Sequence, residues 1–263
     1  MPTVRDIRNY IETLAPAHMK MDWDHIGLLC GSRSKPVRRI LVALDPFEHV
    51  CQEAVDKGAD LIVTHHPLIF RPLTAVTDEA AITRGLMLLC AHGVSAVNAH
   101  TNLDCAPGGV NDVLAAALGL RDVSVIDPSG IDAQGRPWGL LRRGSVDEQP
   151  LPDFLACVKT SLHTPVLRYA DCGKPVRVVA VGGGSCAGAL HEVAAAGCDT
   201  FVTADAKYND FWDARDAGIN LIDAGHFYTE NPVCAVLADR LRAAFPDAAV
   251  ELSQTHADCM GFF

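Results

Sequence analysis

Short, continuous apolar runs punctuate this chain at regular intervals. The segments "RILVAL" (39–44), "LIVT" (61–64), "VSAVNA" (94–99), "RVVAV" (177–181), "TFVT" (200–203) and "INLIDA" (219–224) are each followed by polar or glycine-containing stretches. Apolarity that is continuous rather than alternating predicts strands with both faces buried. Between the runs lie segments of helical periodicity, roughly 10 to 15 residues long, so the pattern predicts mainly parallel sheets covered by helices, an α/β protein.

The pattern also repeats. Residues 39–64, "RILVALDPFEHVCQEAVDKGADLIVT", match 177–203, "RVVAVGGGSCAGALHEVAAAGCDTFVT", in the order apolar strand, turn, amphipathic helix, Gly, Asp and a strand ending in Val-Thr. From Val42 to Thr64 is 22 positions and from Val179 to Thr203 is 24, so the units are nearly equal in length. Each continues through a helix to a third strand (93–100 and 218–226) and then to a further helix, "GGVNDVLAAALGL" or "NPVCAVLADRLRAAF". The expected architecture is two similar βαβαβα units. Residues 1–126 with about 231–263 are expected to form the first domain, and 127–230 a second, inserted domain. The stretch 127–153 is rich in Pro, Gly and charge and reads as a linker or short antiparallel edge, with "GRPWGLLRRG" as a hairpin strand.

Composition narrows the class. A chain of 263 residues that is 49% hydrophobic and 21% charged is long enough for one large or two smaller cores. Its net charge of -10 and 22 scattered Lys and Arg argue against a nucleic-acid footprint. No apolar run approaches the roughly 20 residues that span a bilayer, and "MPTVRDIRNYIE" is too charged for a signal peptide, so a cytoplasmic protein without membrane contact is expected. The ten cysteines include no C-x-x-C pair and come no closer than 12 positions, which predicts reduced, mostly buried thiols and no thiolate zinc site.

The candidate chemistry gathers where parallel strands end, the place where α/β sheets bind ligands. His65 and His66 follow "LIVT", His100 and Asp104 follow "VSAVNA", and His226 and Glu230 follow "INLIDAG". One histidine at a strand end is usually structural; recurrence at three strand ends, with a carboxylate four positions on from His100 and from His226, favours a metal site. Imidazole and carboxylate donors without thiolate suit divalent or trivalent first-row ions such as zinc, iron or manganese. Six donors exceed what one open catalytic ion takes and fit two ions sharing a bridging carboxylate, with Glu230 expected as the bridge at the opening of a helix. "VAVGGGSCAGALHE" (179–192) offers a degenerate dinucleotide fingerprint with Asp205 as a ribose acid; a tight turn whose backbone N–H groups cradle an anion is the preferred reading.

The blocks "WDHIGLLCG", "GADLIVTHHPLIFRPL", "NAHTNLDCAPGGVND", "AVGGGS", "DTFVTADAKYND" and "LIDAGHFYTE" together resemble the dinuclear-metal family known as GTP cyclohydrolase 1 type 2 (Ngg1-interacting-factor-three-like proteins). The resemblance spans essentially the whole chain. It implies two interlinked α/β domains with the metal site at the strand carboxyl ends between them, and a homohexamer. The ligands it implies for two metal ions are His65, His66, Asp104, His226 and Glu230; His100 falls on a further site position. It further implies a hydrolase with a metal-activated bridging water and a small-molecule substrate, such as a nucleotide opened at a purine carbon. His100 and Asp205 are the candidate proton shuttles, and Lys207 and Tyr208 candidate contacts to a phosphate or base. The chain departs from the family at His25, at Thr203-Ala204-Asp205 and at Lys207-Tyr208-Asn209, so its substrate contacts are expected to differ. The contrasting reading is a non-catalytic metal-binding scaffold or metal-handling factor that acts through protein partners.

Overall fold

A computed structural model describes all 263 residues and divides them into two compact units, Met1–Leu103 with Cys234–Asp258, and Asp104–Val233 with Cys259–Phe263. The chain begins with α1 (Val4–Leu14), β1 (Gly27–Cys30), β2 (Arg39–Ala43), α2 (Glu48–Asp56), β3 (Leu61–Thr64), α3 (Ala81–Ala91), β4 (Ser95–Asn98) and α4 (Thr101–Cys105). It continues through α5 (Val110–Ala117), β5 (Arg121–Ile126), β6 (Gly130–Ile131), β7 (Pro137–Trp138), β8 (Leu141–Gln149), α6 (Leu151–Leu162), β9 (Arg168–Ala170) and β10 (Val176–Val181). The last elements are α7 (Leu190–Ala195), β11 (Thr200–Thr203), α8 (Tyr208–Ala217), β12 (Asn220–Asp223), α9 (His226–Glu230), α10 (Pro232–Ala244) and β13 (Ala249–Leu252). No helix is long and apolar enough to cross a membrane.

The first unit holds a five-stranded sheet in the order β1-β4-β3-β2-β13, parallel except for the β1 edge. Alternate residues explain the continuous apolar runs. Leu41, Ala43 and Ile62 enter the core beneath α2 and α3, while their neighbours Ile40, Val42, Leu61 and Val63 are buried too. The second unit holds a six-stranded sheet, β5-β8-β10-β11-β12-β9, whose three central strands β10, β11 and β12 are parallel. Val179 and Val181 join one core with α5 and α6; Ala180 joins the other with Val193 of α7 and Ala214 of α8. Each fully buried Val, Leu or Ile contributes about 1.5–3 kcal/mol, and the repeated strands supply most of them.

The duplicated Gly-x-Asp has a structural reason. Asp60 accepts the backbone N–H groups of Arg38 and Arg39 (2.8 and 3.2 Å), and Asp199 those of Arg177 and Val178 (3.1 and 2.8 Å). Each aspartate thereby ties the start of its own strand to the start of the preceding one. The match between the two sequences is thus a match of strand-initiating clamps as well as of apolar runs.

Three expectations change. α5 and β5 fall in the second unit, not with residues 1–103, because Leu114, Ala115 and Leu118 pack into the core with Phe154, Val158 and Val179. The supposed linker or edge contains β8, which lies inside the sheet between β5 and β10, both antiparallel to it; only β6 and β7 form a separate ribbon. Of the cysteines, all free, Cys30, Cys51, Cys105, Cys198 and Cys234 are buried, whereas Cys90, Cys157 and Cys259 are exposed.

The segment after β13 is held by one buried carboxylate. Glu53 on α2 accepts from Ser253 Oγ (2.5 Å), the Gln254 and Thr255 N–H groups (2.9 and 3.2 Å) and Thr255 Oγ1 (2.8 Å), with Lys57 Nζ 3.0 Å away. Burial alone would raise its pKa, but these hydrogen bonds outweigh it and lower it from 4.5 to about 2. A depressed carboxylate pKa stabilises the fold above about pH 4.5, and that contribution disappears as pH falls through about 2. Glu53→Gln is expected to destabilise the protein by roughly 3 kcal/mol at pH 7, the equivalent of that shift, and to flatten the stability–pH curve between these limits. Urea denaturation across the acid range checks this; parallel wild-type and variant curves would refute it.

Candidate metal centre

The doubled histidine ends β3. Thr64 Oγ1 donates to the His66 carbonyl (2.7 Å) and the His66 N–H donates to the Leu44 carbonyl (2.8 Å), so the backbone turns before Pro67. The turn removes the strand's alternation and lets adjacent side chains converge. Ring centroids of His65 and His66 lie 4.9 Å apart, and those of His100 lie 5.3 and 5.5 Å from them. His65, His66 and His100 each bring a ring nitrogen within 4.8 Å of the others, a group able to hold a metal ion.

The second partner of each ring is more telling. His65 Nδ1 meets the Ala99 carbonyl (2.9 Å), His66 Nδ1 the Asp45 carboxylate (2.6 Å) and His100 Nδ1 the Asp24 carboxylate (2.8 Å). A carbonyl can only accept, so His65 Nδ1 carries the proton. Asp24 and Asp45 are ionised: burial opposes this, but the histidines, with Thr101 on Asp24 and His256 on Asp45, lower both pKa values, that of Asp24 to about 2. They too must accept. Each neutral imidazole is therefore fixed as the Nδ1–H tautomer, with its lone pair on Nε2, as metal-ligating histidines usually are.

Asp24, 4% exposed, also receives the Thr101 N–H (3.0 Å) and hydroxyl (2.5 Å). It thereby joins the loop before β1 to the start of α4, just after His100. Asp45, in the loop after β2, also has His256 Nε2 3.7 Å away. Asp24, Asp45 and His256 carry no local sequence signal, because their partners lie far along the chain.

In the second unit α9 presents His226 and Glu230. His226 Nδ1 bonds Asp205 (2.7 Å), and its Nε2 lies 3.0 Å from Glu230 Oε2. Burial disfavours an imidazolium here, but Glu230 and then Asp205 outweigh it and raise the pKa from 6.5 to about 9. A socket that draws a proton onto His226 between two carboxylates is chemically suited to a cation in that proton's place. Asp205 adopts a left-handed φ of 54° after β11, an uncommon conformation for a non-glycine residue, which aims it at the imidazole. Asp223 steadies both loops, accepting from the Ala206 and Gly225 N–H groups (3.0 and 3.1 Å).

The glycine turn proves to be part of this socket. Gly182, Gly183 and Gly184 donate their N–H groups to the Val202 carbonyl, Asn111 Oδ1 and Thr229 Oγ1 (3.0, 2.7 and 3.0 Å), so the expected anion cradle is filled by the protein itself. At Gly184, with φ of +63°, a Cβ would collide with Glu230 Oε1 and lie 3.1 Å from His226 Nε2. Asp104, 7% exposed on α4, shares this neighbourhood. After burial itself, the charges of Asp104 and Glu230 are the main causes that push the Cys186 thiol far above its ordinary pKa, so no thiolate competes as a ligand. Glu230 ends α9 rather than opening the next helix; Asn231 remains helical in φ and ψ, and α10 starts at Pro232.

Lys207 and Tyr208 are exposed at the start of α8, Tyr208 by 76%, and His25 is exposed beside Asp24. The donors thus comprise imidazole nitrogens with assigned lone pairs and buried carboxylates, a set that fits a hard or borderline divalent cation.

Comparison with known proteins agrees with this inventory. The sequence profile of Duf34/NIF3 (NGG1p interacting factor 3) matches residues 2–259. A Clostridium perfringens protein named "GTP cyclohydrolase 1 type 2 homolog" is 34% identical over 91% of both chains. A Nostoc protein of the same name is 38% identical over 89% of this chain and 90% of its own. The crystal structure of a Bacillus cereus protein related to NIF3 superposes with a TM-score of 0.94 at 26% identity, covering 100% of this chain and 99% of the other. With the strand-end histidines, the interrupted chain course and the profile all in agreement, the chain belongs to the Duf34/NIF3 family.

Proposed function

We propose that this protein is a dinuclear metal-dependent hydrolase, with His65, His66, Asp104, His226 and Glu230 as ligands. The observation that carries the reading is the tautomer control: His65, His66, His100 and His226 each have Nδ1 engaged by a carbonyl or carboxylate. A structural histidine needs one such bond; its recurrence at four histidines, each leaving Nε2 as the atom that would ligate, is what metal coordination requires. Two bound ions would supply Lewis acidity and lower the pKa of a water toward neutrality. The protein's own residues orient and exchange protons. Asp24, Asp45 and Asp205 fix the imidazoles, and His100, which stands beside His65 and His66 but is not among the five proposed ligands, is the group assigned to pass a proton. The name borne by the relatives suggests a nucleotide whose purine ring is opened by hydrolysis.

Elemental analysis of protein purified without added metal tests the first half of the proposal. About two equivalents of metal are expected, and His65→Ala is expected to lose at least one, with affinity falling tenfold or more. If no metal is retained and His65→Ala has wild-type stability, the site reading fails. GTP turnover abolished by a chelator tests the second half. If metal is held but nothing is hydrolysed, and Glu230→Gln alters metal content alone, the hydrolase reading falls and a metal-binding scaffold remains.

A further inference from the structure

Two large aromatic side chains stand half exposed beside the candidate centre. Trp23 is 56% and Phe70 46% exposed, although both lie within about 6 Å, ring to ring, of the largely buried His100 (6.0 and 6.1 Å). They meet each other edge to face, with centroids 5.8 Å apart and planes at 70°. Leaving two such rings in water forgoes burial worth several times the thermal energy. Their placement is nonetheless constrained. Trp23 immediately precedes Asp24, whose carboxylate is fixed by Thr101 and His100; Phe70 follows the His65-His66-Pro67 turn. The same backbone that orients His100 and His65 therefore sets the two rings.

We propose that Trp23 and Phe70 form a stacking wall for the planar heteroaromatic part of the substrate, and so determine the substrate class as a nucleobase or similar flat ring. The proposal rests on the metal-dependent reading of the adjoining site. An edge-to-face pair presents one ring face and one ring edge, an arrangement that accepts a flat ring by stacking and tolerates differences among bases, since every base has a π-face. Stacking positions the ring beside His100 without using its hydrogen-bonding groups. Trp23 and Phe70 are in this sense positioning residues.

The test measures equilibrium binding without turnover, by calorimetric titration of the purified protein with GTP and with inorganic tripolyphosphate, which carries comparable charge and no ring. GTP is expected to bind at least tenfold more tightly than tripolyphosphate. Trp23→Ala and Phe70→Ala should each weaken GTP binding by about tenfold to a hundredfold, the range of one base–aromatic stack. Tripolyphosphate affinity and metal content should be unchanged, and Trp23→Phe should recover most of the loss. In turnover the alanine variants should raise KM far more than they lower kcat. Equal wild-type affinity for the two probes, or detectable binding of neither, overturns the wall. So do alanine variants that keep GTP affinity, that lose both probes alike, or that change the oligomeric mass instead. Metal content is read separately, so absence of metal defeats the site reading while the two-probe comparison still judges the wall.

Discussion

Replacing Arg142 by Met is expected to destabilise the protein by about 3–5 kcal/mol, as for removal of one partner from a buried ion pair. Arg142 is 1% exposed and among the largest fully buried side chains. Its guanidinium forks onto Asp112 (Nε–Oδ1 2.6 Å, Nη2–Oδ2 3.3 Å). It also donates to the carbonyls of Gly139 (2.7 Å), Cys105 and Ala106 (both 3.2 Å). The last two close the carboxyl end of α4, where helix carbonyls have no intrahelical partner. Methionine fills similar volume but takes the guanidinium from the Gly139 carbonyl and from Asp112, leaving Cys105, Ala106 and Asp112 with only the backbone N–H groups of Gly139, Gly109 and Gly108. Lysine should rescue little, because a point charge cannot reproduce the planar fork. Since α4 carries Asp104, Arg142→Met is further expected to lower metal content before it abolishes folding. Urea denaturation read together with elemental analysis checks both; a loss below about 1 kcal/mol, the scale of an exposed ion pair, would show that the clamp is dispensable.

Arg142 also marks where sequence reading reached its limit. The parallel strands were legible because burial on both faces leaves a run such as "LIVT", and the duplication was legible because each unit repeats the clamp formed by Asp60 or Asp199. β8 was not legible as an interior strand. Its "RRGSVDEQ" is charged enough to suggest an edge, and the partners that neutralise Arg142 come from α4, α5 and the turn before β8 itself. Likewise the helical period of "VNDVLAAA" predicts α5 but not which sheet it covers.

The candidate site divides in the same way. His65, His66, His100, His226, Asp104 and Glu230 stood out because they follow apolar runs, and the strand end is a position visible in one dimension. Asp24 and Asp45 did not, because His100 lies 76 positions from Asp24 and His66 lies 21 from Asp45. Asp205 was visible, but as a candidate proton shuttle; its left-handed backbone and its bond to His226 Nδ1 give it an orienting role that spacing does not express. The two units share a frame and differ at its ends. Where the first places His65-His66, the second places Ala204-Asp205, a buried alanine and a carboxylate that serves a histidine from the next strand end.

Gly184→Ala is expected to place a methyl group inside the candidate metal site and to destabilise both the site and the fold. The position combines two independent penalties. Its φ of +63° is strained for any residue with a Cβ, by about 1 kcal/mol, and the new carbon would collide with Glu230 Oε1 while lying 3.0 Å from the Glu230 Cδ and 3.1 Å from His226 Nε2. Glu230, 4% exposed, has little room to withdraw, so overpacking should add about 1–3 kcal/mol. Two neighbouring glycines separate the contributions. Gly197 has φ of +73° and nothing within 4 Å of where its methyl group would sit, so Gly197→Ala should show the backbone strain alone. Gly188 has neither positive φ nor a neighbour within 4 Å, and Gly188→Ala should be neutral or slightly stabilising. The expected order of unfolding midpoints is thus Gly188→Ala highest, Gly197→Ala intermediate and Gly184→Ala lowest. Metal content should fall only in the last, because only there does the methyl group occupy the space in which the Glu230 carboxylate and the His226 imidazole meet. If Gly184→Ala matches Gly197→Ala in stability and keeps its metal, the glycine turn serves the backbone and has no part in shaping the socket.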